Sequence, residues 1–263
     1  MFKTSNTNLI TRDLFLKKAV VGAAGFYVAT KSKAAMGTMP FGFWKKKPIV
    51  NYSYSFPNTA NTGADYAGYD ANSNLSLGTS DLTIESYVYL NTSTADDWAY
   101  MGTGDPSSGN VYSTWHCFIL SDYTVKVDIY GGSAVRSATK VSPNVWNYLA
   151  WVRSSGTWSI YINGLKDAYT YSDSTSLVGP GLVLGTAYYP THSGEDFQGY
   201  LNNVRVSTAA LYSSNFTPPT TNLTALGSTV ALTAQNNTFV DNSGTGQTIT
   251  AYGSAATSTF VPF

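Results

Sequence analysis

From residue 51 onward the chain carries several runs in which apolar and polar residues alternate with a period of two. The clearest run is Trp146 to Lys166. Trp146, Tyr148, Ala150 and Val152 alternate with Asn147, Leu149, Trp151 and Arg153, and beyond Ser154-Ser155-Gly156 the residues Trp158, Ile160 and Ile162 alternate again. Successive side chains of a strand point to opposite faces, so this run predicts a hairpin. Asn163-Gly164 predicts a second tight turn into a third strand, because both residues accept the positive φ of a type I′ turn. Leu82, Ile84, Val88 and Leu90, set against Thr83, Glu85, Tyr87 and Tyr89, predict a strand over 82–90. Further strands are expected at 51–56, 115–120, 123–130, 168–171, 182–185 and 197–206. A turn is expected at Gly131-Gly132, and one helical turn at 208–212. Pro218-Pro219 interrupts pairing, and the last forty or so residues read as a strand pair. Residues 13–31 are the one helical candidate, with Thr11 or Asp13 as its cap.

Three blocks carry a resemblance. The first is the hairpin from Trp146 through Arg153 to Asn163-Gly164. The second is Asp81 to Val88, DLTIESYV, and the third is Phe197 to Val206, FQGYLNNVRV. In this order they resemble laminin-G-like (concanavalin A-like) domains. The resemblance implies an all-β fold, an antiparallel β-sandwich of jelly-roll type. It implies little about activity, since the fold hosts lectins, adhesion modules, spacers and glycanases. Asn215 to Thr220, with Val230 to Ser243, Thr248 to Thr250 and Thr259 to Phe263, resembles the connector segments of laminin-G-type repeats in structural proteins of marine tailed phages. The expected organisation is an N-terminal arm and aromatic linker over 1–50, a sandwich over 51–220, and connector strands packing on it over 221–263.

Composition changes the picture in two ways. Only 11% of residues are charged and 14% are aromatic, Tyr alone supplying 20. That suits a β-rich extracellular or virion protein better than a cytosolic helical one. The zero net charge hides an asymmetry: residues 1–47 hold nine Lys and Arg against Asp13 alone, and the remainder is acidic by the same margin. A basic arm on an acidic domain points to an acidic partner surface, a membrane or nucleic acid. Phe15, Lys17, Lys18, Phe26, Tyr27, Phe43 and Trp44 are its expected anchoring residues, with other virion proteins as partners. The alternative is a secretory signal: Lys17-Lys18, the apolar run 19–29 and Ala34-Ala35 have its order of basic, apolar and small residues. Thr11 to Lys17 resembles a twin-arginine signal with Asp13 where the second Arg belongs. The single Cys117 excludes an internal disulfide and sits in an apolar run, as a buried small hydrophobe does.

Catalysis is not expected. Glycanases of this fold carry Glu-x-Asp-x-x-Glu on one strand, whereas this chain has only Glu85 and Glu195, far apart. His116 and His192 have no nucleophile pattern beside them. Glycan binding uses aromatic faces with polar partners. Trp98 and Tyr100, near Asp96 and Asp97, and Tyr188, Tyr189 and His192, near Glu195, are the candidates. Calcium is the one cofactor to consider, through Asp96, Asp97 and Asp196; otherwise none is expected. No nucleic acid is expected, because the main domain is acidic. The resulting expectation is a phage virion protein (fibre, spike or capsid decoration), homo-oligomeric, displaying a lectin-like sandwich toward host-surface glycans. The alternative is an exported bacterial lectin-like protein, secreted or on the cell surface.

Overall fold

The alternating runs form strands in the computed structural model, which describes residues 50–58, 65–70, 73–91, 97–104, 115–129, 134–179, 181–186 and 196–263. The helical candidate, the aromatic linker and Gly131-Gly132 lie outside the described residues. In chain order the strands are β1 (Ser53–Phe56), β2 (Tyr66–Tyr69), β3 (Leu82–Leu90), β4 (Trp98–Thr103), β5 (Trp115–Ile119), β6 (Thr124–Ile129), β7 (Val135–Lys140) and β8 (Trp146–Ser154). They continue as β9 (Thr157–Ile162), β10 (Leu165–Ser172), β11 (Leu182–Leu184), β12 (Gly199–Ser207), β13 (Thr229–Thr233), β14 (Ile249–Tyr252) and β15 (Ala256–Ser258). One sheet has the order β10-β9-β8-β3-β12-β1-β15, with β13 also paired to β12; the other runs β14-β2-β11-β4-β5-β6-β7.

The two sheets bury their facing sides against each other. Leu82, Ile84, Val88, Leu90, Trp151, Trp158 and Val204 of the first sheet share one core with Tyr69, Tyr100, Cys117, Val125, Val127 and Leu184 of the second. Each fully buried large apolar side chain contributes roughly 1.5–3 kcal/mol. The sheets are also pinned by a polar contact across that core, Trp151 Nε1 donating to Tyr100 Oη at 3.0 Å. Arg153 occupies a buried position because its guanidinium donates to the carbonyls of Gly78, Ser80 and Thr175. Cys117 is fully buried, and that burial pushes its thiol up.

Local chemistry sets the turns. Asn163 and Gly164 both have positive φ, 52° and 79°, as expected between β9 and β10. A Cβ on Gly164 would stand 2.0 Å from Phe216 O, so the segment after β12 can cross there only over glycine. Asp167 of β10 accepts the Ala138 and Thr139 N–H groups of β7 at 3.0 and 2.8 Å, joining the sheets along one side.

The structure departs from expectation at several places, β4 among them. β2 and β7 were not anticipated: Tyr66-Ala67-Gly68-Tyr69 is buried on both faces and so shows no alternation, and β7 is mostly polar. No helical turn forms at 208–212; the chain there is bent coil, and Ala210, Tyr212 and Phe216 pack on the outer face of the first sheet. The C-terminal segment supplies three strands rather than a pair, two joining the first sheet and one the second.

Candidate functional site

The outer face of the first sheet divides into a covered part and an open part. The covered part centres on Glu85. Its Oε1 accepts Arg205 Nε at 2.6 Å and Nη2 at 2.5 Å; its Oε2 accepts the hydroxyls of Tyr148 at 2.5 Å and Tyr212 at 2.7 Å. Both Glu85 and Arg205 are buried. Burial, then the Glu85 charge, raises the Tyr148 and Tyr212 phenols well above their ordinary range, so both stay protonated donors. Every oxygen of this carboxylate is committed, and Tyr212 and Phe216, stacked at 3.7 Å, lie over the sheet here. The arrangement holds the covering segment in place and leaves no acid or base free to meet a substrate.

The open part is aromatic. Outward-facing residues of three adjacent strands fall in one row, Tyr200 opposite Tyr89 and Tyr89 opposite Trp146. Their ring centroids are 5.9 Å apart for Tyr200 and Tyr89, and 5.6 Å for Tyr89 and Trp146. All three are half-buried. Phe260, which follows β15, sits on the row, its centroid 4.8 Å from Tyr89, 4.9 Å from Tyr200 and 5.5 Å from Trp146. Phe260 is 42% exposed, one of few large apolar side chains so open. Phe263 packs on Tyr87 at 5.9 Å. Trp146 Nε1 is buried and has no hydrogen-bond partner among the described residues.

This row lies at the end of the sandwich where three connections leave. Phe56 ends β1, Leu90 ends β3 and Gly199 begins β12, and Gly199 is the cross-strand neighbour of both others. A buried polar knot fixes the bases of two of these connections. Asn58 Nδ2 donates to the carbonyls of Gly185 and Phe197, its backbone N–H donates to Asp65 Oδ2, and Asp65 Oδ1 accepts the Ser254 N–H.

The sequence-predicted site residues scatter. Trp98 and Tyr100 are corrected: they are strand residues of β4, 2% and 0% exposed, with Trp98 against Tyr123 and Tyr100 bonded to Trp151. Their faces pack into the core and offer no surface to a sugar. Asp97 Oδ1 accepts the Ser121 N–H at 2.7 Å, tying β4 to the β5–β6 turn. Asp196 is buried and accepts Thr186 Oγ1 at 3.0 Å. Among the described residues no group of three or more His, Cys, Asp and Glu gathers as a metal site. Asp96, Tyr188, Tyr189, His192 and Glu195, and the arm residues Phe15, Lys17, Lys18, Phe26, Tyr27, Phe43 and Trp44, lie outside the described residues. The row itself went unforeseen. Tyr89 stands opposite the apolar positions of its strand in sequence, and only the register brings it together with Trp146 and Tyr200.

No curated protein matches the chain. Among solved structures it is similar to a putative carbohydrate-binding protein from Bacteroides ovatus, with 17% identity over 79% of this chain and a TM-score of 0.56. The chain spans 62% of that protein's length. It is also similar to the native heptameric SAP-like pentraxin of Limulus polyphemus, at 15% identity over 78% of this chain and 95% of that one, TM-score 0.48. The mouse laminin α1 chain, domains LG4-5, matches at 15% identity over 64% of this chain and 47% of that one, TM-score 0.41. At 17% identity, the likeness to the Bacteroides protein speaks to the fold alone. A family model described as the concanavalin A-like lectin/glucanases superfamily matches residues 61–215. With that match across more than half the sequence and the two-sheet antiparallel sandwich observed, the chain belongs to the concanavalin A-like lectin/glucanases superfamily.

Proposed function

We propose that the chain is a carbohydrate-binding display module carried on the particle of a tailed phage. The observation that supports binding most is the half-buried aromatic row Tyr200–Tyr89–Trp146, beside the part of the same sheet face on which Ala210, Tyr212 and Phe216 pack. Such rings pack against the C–H faces of sugars. The similarity to a putative carbohydrate-binding protein lends the reading further support. Weak single-site binding is multiplied when several copies are displayed together, so a homo-oligomeric appendage suits the role. The test is a glycan array probed with the full chain; absence of any bound glycan sinks the binding reading.

The placement on a virion rests on the phage-like C-terminal block and on the basic arm, whose apolar stretches 14–29 and 39–44 would bury against a particle protein. The signal-like order of Lys17-Lys18, the apolar run and Ala34-Ala35 favours the other carrier, an exported lectin. The intact mass from the native source separates the two. Full-length chain of 28.2 kDa in purified particles is expected; a chain shortened by about the first 35 residues, free of particles, replaces the virion with the secretory pathway.

A further inference from the structure

We propose that the Tyr200–Tyr89–Trp146 row seats a single pyranose ring, and that Phe260 holds that seat until the sugar displaces it. The inference rests on the carbohydrate-binding reading above and assigns its site. Phe260 demonstrates that the seat accepts one six-membered ring, with contacts of 4.8–5.5 Å to all three aromatic partners. A pyranose is of the same size and presents an apolar C–H face to aromatic rings.

Two features favour exchange. The residues after Ser258 belong to no strand. The backbone of Phe260 is held by two hydrogen bonds, Ser53 Oγ of β1 donating to its carbonyl at 2.7 Å and its own N–H donating to Ser258 Oγ at 3.1 Å, and neither involves the ring. Displacing the ring therefore breaks little else. The second feature is the buried indole N–H of Trp146, which has no partner among the described residues. A buried unpaired donor is costly. The phenyl ring of Phe260 carries no acceptor, whereas each hydroxyl of a sugar is one. The row thus carries one unsatisfied donor, and a sugar hydroxyl seated within reach of it would supply the acceptor that a phenyl ring lacks.

The probe is an array of hexose, N-acetylhexosamine and deoxyhexose pyranosides, followed by titration of the strongest binder into the wild-type chain, Phe260→Ala and Trp146→Phe. Removing a competing aromatic contact is expected to tighten binding by roughly threefold to tenfold in Phe260→Ala. Trp146→Phe, which keeps a ring and loses the N–H, weakens binding. Both variants should keep a cooperative unfolding transition, since Phe260 is 42% exposed and Trp146→Phe retains a ring in the row. Equal affinity in all three chains overturns the seat and leaves carbohydrate binding standing at another place. No pyranoside bound by either the wild-type chain or Phe260→Ala overturns the seat together with the reading it rests on.

Discussion

At Asp167 a buried carboxylate does structural work only. Burial pushes its pKa up, but the N–H groups of Ala138, Tyr169 and Thr139 outweigh that and hold it below the ordinary value of 3.8. A carboxylate so depressed contributes stability that is fully present above its unfolded pKa and is lost as pH falls through the folded one. Asp167→Asn should therefore destabilise the sandwich by roughly 1–2 kcal/mol at neutral pH. The gap to wild type should narrow as pH falls below about 4. Denaturant unfolding at pH 7 and pH 3 checks this; an equal loss at both argues against a charged role. Glu85 presents the opposite case, a buried ion pair. Glu85→Ala strands Arg205 without its partner and should cost about 3–5 kcal/mol. Replacing both, as Glu85→Leu with Arg205→Met, should recover much of that loss, since the stranded charge goes with the pair. If the double variant unfolds as easily as Glu85→Ala, the penalty lies in packing and not in charge.

Among the elements, β12 carries the most. It pairs with β3, β1 and β13 and aligns Tyr200 with Tyr89. Gly199 permits this: a Cβ there would stand 1.9 Å from Tyr89 O. The C-terminal strands matter in a different way. β13 and β15 hydrogen-bond into the first sheet and β14 into the second, while Tyr54 Oη meets Thr233 Oγ1 in the core at 2.6 Å. A chain ended at Thr220 loses β13 and β15 from the first sheet and β14 from the second, and exposes Tyr54 and Ala67. Given the usual net stability of about 5–15 kcal/mol for a domain, it should show no cooperative thermal transition. A truncated chain that melts like the full one would make these strands mere decoration. The sequence marked this region as connector strands, and the pairing makes them part of both sheets.

For the molecule as a whole, every described strand lies between Ser53 and Ser258. A chain beginning at Pro48 should fold with the full chain's unfolding transition. Under the virion reading it should fail to enter particles, and a salt-sensitive arm attachment is expected because the arm is basic. Normal incorporation of the shortened chain would remove the arm from that role.

What the sequence by itself determined is the element type and the inward face. Period-two runs such as 82–90 and 146–153 declare their strands, because a pleated backbone alternates sides and a core demands apolar residues on one of them. Asn163-Gly164 declared its turn through backbone sterics alone. Where both faces are buried, as in β2, alternation vanishes and so did the signal. The tertiary structure decided the rest. Trp98 and Tyr100 stand near acids in sequence, but pairing of their strand with β5 and β11 draws them into the core. Tyr89, Trp146 and Tyr200 are dozens of residues apart and become one surface only through the register of β12 on β3 and β3 on β8. Register is a property of the paired sheet, fixed by packing of one face against the core, and it carries the opposite face along with it.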